Sequence, residues 1–252
     1  MWLLLIINFV GKIAAVVVGW KSPFAAISLW FAPDALLAYH MFVPRAQGLL
    51  RVHRRFATAK PEVWITIDDG PDPEDTLQIL ELLAAHGARA TFFVIGENAI
   101  RHPALVSAIA HAGHEVAQHT HTHPVWTFWY ASPRRVAQEL DDSLTVLRRI
   151  GVTPTRFRPP AGMKNLWLGR ALARRGMVCV GWSARGLERR HKSPEEVVAR
   201  LTRNLSPGAI LLAHEGPRVP ATIRVVAIRH LLEHLSARGY RCVIPEPHQL
   251  AG

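Results

Sequence analysis

From residue 63 onward the chain alternates short apolar runs with amphipathic stretches, and this repeat limits the fold more than any other feature of the sequence. Seven runs read as β-strands: 63–68, 90–96, 114–119, 156–160, 177–183, 209–214 and 240–244. Between them, Leu77, Leu80 and Ala84 share one helical face, and Val136, Leu140, Leu144 and Leu147 form another stripe. Ser132-Pro133 and Ser193-Pro194 place an N-cap serine before a proline at the first helical position, and Glu196 completes a capping box with Ser193. Gly87, Gly113, Gly176 and Gly239 stand where helical periods stop. Strands that alternate with helices form a mainly parallel sheet covered by those helices. Runs this short and apolar predict an α/β fold, a distorted (β/α) barrel of about seven parallel strands.

Active residues of such folds gather at the C-terminal ends of the strands. The polar residues here fall at those ends. Asp68 and Asp69 close the first run, His119 the third and His214 the sixth, while Arg158 lies in the fourth. Asp68-Asp69-Gly70-Pro71 sets two carboxylates side by side ahead of a tight turn, an arrangement that repels itself unless a cation or proton intervenes. Alone it would also serve as a capping turn. His119-Thr120-His121-Thr122-His123 brings two imidazoles to one side either as an extended segment or as a helical turn. Two histidines and a carboxylate leave coordination positions open for water and substrate, as a hydrolytic zinc site requires, and iron or cobalt suits the same donors. In Arg158-Pro159-Pro160-Ala161-Gly162 a stiff backbone carries an arginine able to pair with a carboxylate. A histidine at a strand end beside a metal, such as His214, is a candidate general acid.

Ahead of this region lies an apolar segment. Residues 2–18 carry one charge, Lys12, and a second apolar stretch over 23–43 is interrupted by Pro33 and Asp34. A transmembrane helix needs about 20 apolar residues. The sequence therefore predicts membrane attachment over residues 1–55, as one transmembrane helix with an interfacial segment or as a helical hairpin. The alternative is a hydrophobic hairpin buried against the domain. No positive region precedes the apolar run and no small-residue cleavage site follows it, which argues against a signal peptide. Arg45, Arg51, Arg54, Arg55 and Lys60 flank the segment and favour anionic lipid and the cytoplasmic face of a bacterial cytoplasmic membrane. The formal charge of +11 suits an anionic partner, but no basic tract interleaved with aromatics and no zinc-finger spacing points to nucleic acid. Cys179 and Cys242 sit in apolar runs and read as small core residues.

Taken together, residues 56–252 resemble the polysaccharide deacetylases that share the NodB homology domain, carbohydrate esterase family 4. The resemblance rests on Thr66-Ile67-Asp68-Asp69-Gly70-Pro71, on His119-Thr120-His121-Thr122-His123, on Arg158-Pro159-Pro160-Ala161-Gly162 and on Leu212-Ala213-His214, in the family's order and spacing. It implies a metal-dependent hydrolase that removes N-acyl groups, acetyl above all, from an amino sugar in a polysaccharide or a lipid-linked saccharide. It implies Asp68 as general base, with Asp69, His119 and His123 as ligands of one divalent ion, zinc first and cobalt, nickel or iron as alternatives. Arg158 would hold Asp68, His214 would protonate the leaving amine, and Leu212 would line the acetyl pocket. Asp68 would act on the water that the metal activates, and a backbone N–H near Ala161 would help hold the oxyanion.

Two departures bear on substrate. Ala161 stands where the family has tyrosine, which removes a ring from the substrate groove. The family's Asp-Trp element is missing; Trp182 to Glu188 lies in its place, with Trp182 as a groove residue and Glu188 as the residue that orients His214. His121 falls on a position the family leaves free. A deformylase or amidase on another carbohydrate, or an inactive carbohydrate-binding relative, are the competing readings.

Overall fold

The structure, a computed structural model, describes residues 1–191 and 193–250. Two helices come first, α1 (Trp2–Val18) and α2 (Pro23–Phe42). Then follow β1 (Val52–His53), β2 (Glu62–Asp68), α3 (Thr76–Ala85), β3 (Ala90–Val94), α4 (Gly96–Arg101), α5 (Pro103–His111), β4 (Glu115–Gln118) and α6 (Pro133–Arg149). After these come β5 (Arg156–Phe157), α7 (Leu168–Ala173), β6 (Val178–Val180), β7 (Ala184–Arg185), α8 (Pro194–Thr202), β8 (Ala209–His214), α9 (Arg224–Ala237) and β9 (Arg241–Cys242). The strand order is β1-β6-β5-β4-β3-β2-β8-β7, with β9 on β2, and the strand pairings are parallel. All seven expected strands are present, mostly shorter at their C-terminal ends, and β1 and β7 are added to them.

Helix starts follow the sequence. Ser132 Oγ accepts from Arg135 N at 3.2 Å at the start of α6, and Ser193 Oγ from Glu196 N at 3.4 Å at the start of α8. Along β2, Val63, Ile65 and Ile67 pack outward against α3, α8 and α9, while Trp64, Thr66 and Asp68 point into the curl of the sheet. The interior is layered, with polar pairs set among apolar residues such as Phe93, Val180 and Ile210. Trp64 Nε1 donates to Thr91 Oγ1 at 2.8 Å, Arg156 lies 4.7 Å from the Trp64 ring and pairs with Glu115, and Thr66 and Arg158 form the layer above. A second core under α6 and α7 gathers Phe128, Leu140, Leu144, Phe157 and Leu168. Cys179 and Cys242 are free thiols.

The expected single strand over 177–183 is split. Val180 ends β6; Gly181 N then bonds His53 O at 2.8 Å, and Ser183 N bonds Ile210 O at 2.9 Å. Three residues thus carry the chain from one end of the curled sheet to the other, so the barrel is bridged by chain where strand pairing stops.

The expectation of a transmembrane helix needs correction. Among the described residues no helix is long and apolar enough to cross a membrane. α1 ends after 17 residues, about 25 Å of helix against about 30 Å of hydrocarbon, and α2 carries Pro33 and Asp34 through its middle. The two pack on each other as a hairpin, and it is not the buried hairpin of the alternative either: Ala15 is the one residue buried in α1, and none is buried in α2.

Gly208 (φ +77°) pinches β8 against the segment ahead of β2: a Cβ there would lie 2.1 Å from the Phe56 carbonyl oxygen. Gly87 (φ +56°) has nothing within 4 Å of the same position. Gly87→Ala should cost about 1 kcal/mol, the backbone penalty alone. Gly208→Ala should cost about 3 kcal/mol, because the clash adds to it. Thermal unfolding reads this as roughly 2–4 °C of Tm per kcal/mol; equal losses at the two positions would mean that the Phe56 carbonyl gives way freely.

Candidate active site

The strand ends converge. Asp68 pairs in register with His214 on one side and with Phe93 on the other, and His119 and Arg158 follow directly on β4 and β5. Asp68 Oδ1 accepts from Arg158 Nη1 at 2.6 Å. The same Nη1 also donates to Thr66 Oγ1 (3.0 Å), while Nε and Nη2 donate to the carbonyls of Val180 (3.1 Å) and Gly181 (2.8 Å). Arg158 is fully buried, with the Phe93 ring 4.1 Å away and the Trp182 ring 5.7 Å away.

On the other side of the carboxylate pair, Asp69 Oδ1 lies 3.6 Å from His119 Nε2 and 3.2 Å from His123 Nε2. The two imidazole rings are 4.8 Å apart. His119 Nδ1 faces the Arg158 carbonyl at 2.8 Å. That contact puts the ring proton on Nδ1 and leaves the Nε2 lone pair toward Asp69, the tautomer a metal ligand needs. Burial, reinforced by the neighbouring His119, pushes His123 down to about 3 against the opposing charge of Asp69, so its ring is neutral, as ligation also requires. One donor atom each from Asp69, His119 and His123 lies within 4.8 Å of the others. The donor types, the tautomer of His119 and the neutral state of His123 fit one divalent cation. Asp72, Glu74 and Asp75 form a second acidic group of similar spacing, but their oxygens are engaged. Asp72 accepts from the backbone N–H groups of Glu74 and Asp75, and Arg224 pairs with Glu74 and Asp75.

His214 closes the far side. Its Nδ1 lies 3.1 Å from Glu188 Oε2. Burial alone would lower its pKa; the hydrogen bond and charge of Glu188, with Asp68 and Asp69 behind, outweigh that and lift it to about 9. The site therefore holds a carboxylate clamped by arginine, a cluster of metal-type donors, and a histidine kept protonated at neutral pH.

Backbone strain is concentrated here. Among the described residues, Asp69, Thr120, His123, Ala161 and Leu187 have φ between +53° and +77° without being glycine. Asp69, Thr120 and His123 carry or adjoin the residues just described, Ala161 lies in the turn after Arg158, and Leu187 precedes Glu188. Conformations of this kind cost about 1–3 kcal/mol each and persist where the surroundings impose them.

The remaining expected site residues fall as follows. Leu212, buried, lies two residues before His214 on the same side of β8. Trp182 stands at the rim, its ring edge close to Gly162, and Ala161 is exposed in the turn after Arg158. His121 is separate from the donor cluster; its ring packs over Gly96, where a Cβ would meet Nδ1 at 2.4 Å.

Three residues went unrecognised in the sequence. Glu139, buried on α6, accepts from the N–H groups of His121 and Thr122 (2.9 Å each) and from Thr122 Oγ1 (2.7 Å), which holds the histidine loop in place. Its signal was available: an acid on the face of the 136–140–144–147 apolar stripe. Glu215 is buried under the Asp68-Asp69 turn, with Oε2 accepting from Thr76 at 2.6 Å, and burial pushes it up to about 8. Arg218, exposed, sets its guanidinium against His123 Nδ1, and nothing in the sequence marked it.

Known proteins share this arrangement. The family model for polysaccharide deacetylase matches residues 56–180. A peptidoglycan-N-acetylglucosamine deacetylase of Bacillus cereus is 34% identical over 72% of this chain and 84% of its own length. A chitooligosaccharide deacetylase of Sinorhizobium fredii is 31% identical over 76% of this chain and 93% of its own. The solved structure of the Bc1960 peptidoglycan N-acetylglucosamine deacetylase superposes with a TM-score of 0.69 at 29% identity, covering 75% of this chain and 88% of that one. With the motifs, the curled parallel sheet and these relatives in agreement, the chain belongs to the polysaccharide deacetylase family, the NodB-type carbohydrate esterases of family 4.

Proposed function

We propose that the protein hydrolyses the N-acyl group, acetyl in the first instance, of an amino sugar. The observation that carries this reading is the meeting, at neighbouring strand ends, of the Arg158-clamped Asp68, the Glu188-bound His214 and the donor cluster of Asp69, His119 and His123. Asp69, His119 and His123 would hold a divalent ion, zinc being the one that two histidines and a carboxylate suit best, and it would supply Lewis-acid polarisation of the amide carbonyl.

The chain's own groups account for the proton transfers. Asp68 takes a proton from the attacking water, and Arg158 keeps its carboxylate aimed at the cleft. His214, protonated through Glu188, gives its proton to the departing nitrogen as the carbon–nitrogen bond breaks. The products are a carboxylic acid and a free amine, so water is the one co-reactant. The Ala161 N–H, in the turn after Arg158, would help hold the developing oxyanion. Alanine at this position widens the groove relative to a tyrosine-bearing relative.

Three measurements test the assignment. His119→Ala should lose most bound metal by elemental analysis and nearly all acetate release from N-acetylated oligosaccharides; full metal occupancy in that variant would sink the ligand set. Asp68→Asn should keep its metal and lose about 100- to 10,000-fold in kcat, the usual contribution of a general base. Near-normal turnover would move that role elsewhere. Glu188→Gln removes the charge that raises His214 and leaves burial, which lowers it. A general acid works below its pKa, so the basic limb of the pH–rate profile should move to lower pH, while an unmoved limb would separate Glu188 from the acid.

A further inference from the structure

The N-terminal hairpin is apolar on every side. Trp20 is 95% exposed and Phe24 85% exposed, and α2 buries no residue. A helix that is apolar all round belongs in a core or in lipid, and this pair has little protein core of its own. Within the two helices Lys12 and Asp34 are the only Lys, Arg, Asp or Glu, and they pair with each other at 3.1 Å, with Asn8 donating to Asp34 at 2.5 Å. Charges in an apolar medium are arranged in this way. Arg45, Arg51 and Arg54 follow, exposed, where the hairpin meets the domain, and complement anionic headgroups.

The base of this hairpin is fastened to a wall of the cleft. Buried Lys164 donates from its backbone N to Met41 O at 2.9 Å, and from Nζ to Val43 O at 2.7 Å and Pro44 O at 3.2 Å. Gly162, in the turn that follows Arg158, has room for no side chain: a Cβ there would come within 2.7 Å of both Pro44 and the Trp182 ring. Phe42 packs on Trp129, their centroids 5.0 Å apart, and Trp126, three residues beyond His123, is 83% exposed. Aromatic side chains of this kind settle at the membrane–water boundary. A hairpin seated in lipid therefore holds the cleft at the lipid surface.

The mouth of the cleft is cationic. Arg218 lies against His123, and Arg185 lies beside the Trp182 ring at 5.8 Å, within the influence of the Glu188 charge. Guanidinium groups of this kind are suited to phosphate.

From this juxtaposition we infer that the substrate is a membrane amphiphile: an N-acylated amino sugar joined through phosphate to a lipid, taken while the hairpin lies in one leaflet. The inference rests on the N-deacylase reading and specifies its substrate class. Zinc-loaded full-length protein is mixed with vesicles of phosphatidylethanolamine and phosphatidylglycerol carrying polyprenyl-diphospho-N-acetylglucosamine, and in parallel with water-soluble N-acetylchitotetraose. Protein should float with the vesicles, and acetate release per kcat/KM should favour the lipid-linked probe by at least about tenfold. Phe24→Glu/Ile27→Glu, on the exposed hairpin, should abolish flotation and that preference while leaving tetraose hydrolysis unchanged. Equal use of both probes by the wild type, or a preference that survives the double substitution, overturns the inference and leaves the deacylase reading standing. Release of acetate from neither probe overturns both.

Discussion

Arg158 has no exposed surface, and its guanidinium donates to Asp68, Thr66, Val180 and Gly181 while its own carbonyl faces His119 Nδ1. A buried cation costs several kcal/mol unless it is paired and hydrogen-bonded, and removing one partner of such a pair typically costs about 3–5 kcal/mol. Meeting that demand draws β2, β5 and the end of β6 to one point. The same requirement explains the split in the 177–183 segment. The carbonyls of Val180 and Gly181 are given to Arg158, and the chain then turns across to β8. One side chain therefore helps close the sheet, aims the Asp68 carboxylate and sets the tautomer of His119.

Around this centre, further buried acids hold loops whose backbone is strained. Glu139 anchors the His121–Thr122 turn, which keeps Thr120 and His123 at positive φ. Glu215 occupies the space a side chain at Gly70 would need, its Oε1 lying 1.7 Å from where that Cβ would sit. Raised to about 8 by burial, it is largely uncharged at neutral pH, so it adds no full negative charge to the nearby Asp68-Asp69 pair. Glu188 does the opposite work on the far wall, where its charge keeps His214 protonated. Three glutamates thus serve one cleft, one as a backbone acceptor, one as a neutral filler and one as a charge partner. Their burial and partners decide which.

The periodicities of the sequence were enough for the seven strands of the parallel sheet, because alternating runs and helical stripes report local geometry that tertiary packing did not override. Strand-end position alone brought Asp68, Asp69, His119, Arg158 and His214 to one face. Glu188 was recognisable only through the resemblance, since no local pattern links it to His214. β1 and β7 were missed because Val52-His53 stands between arginines and Ala184-Arg185 contains one, both outside any apolar run.

Sequence by itself determined the fold class, the strand-end residues and the apolar character of the first 43 residues, all of which depend on spacing and polarity within a few positions. Tertiary structure decided what depends on distant segments meeting. It put Arg218 against His123 across 95 residues and tied Lys164 to Val43 across 121. It also packed α1 on α2 as a hairpin, where the sequence had left a transmembrane helix and a helical hairpin both open. A linear pattern records which face a side chain takes on its own element; which partner it meets there is set by closure of the sheet around buried Arg158.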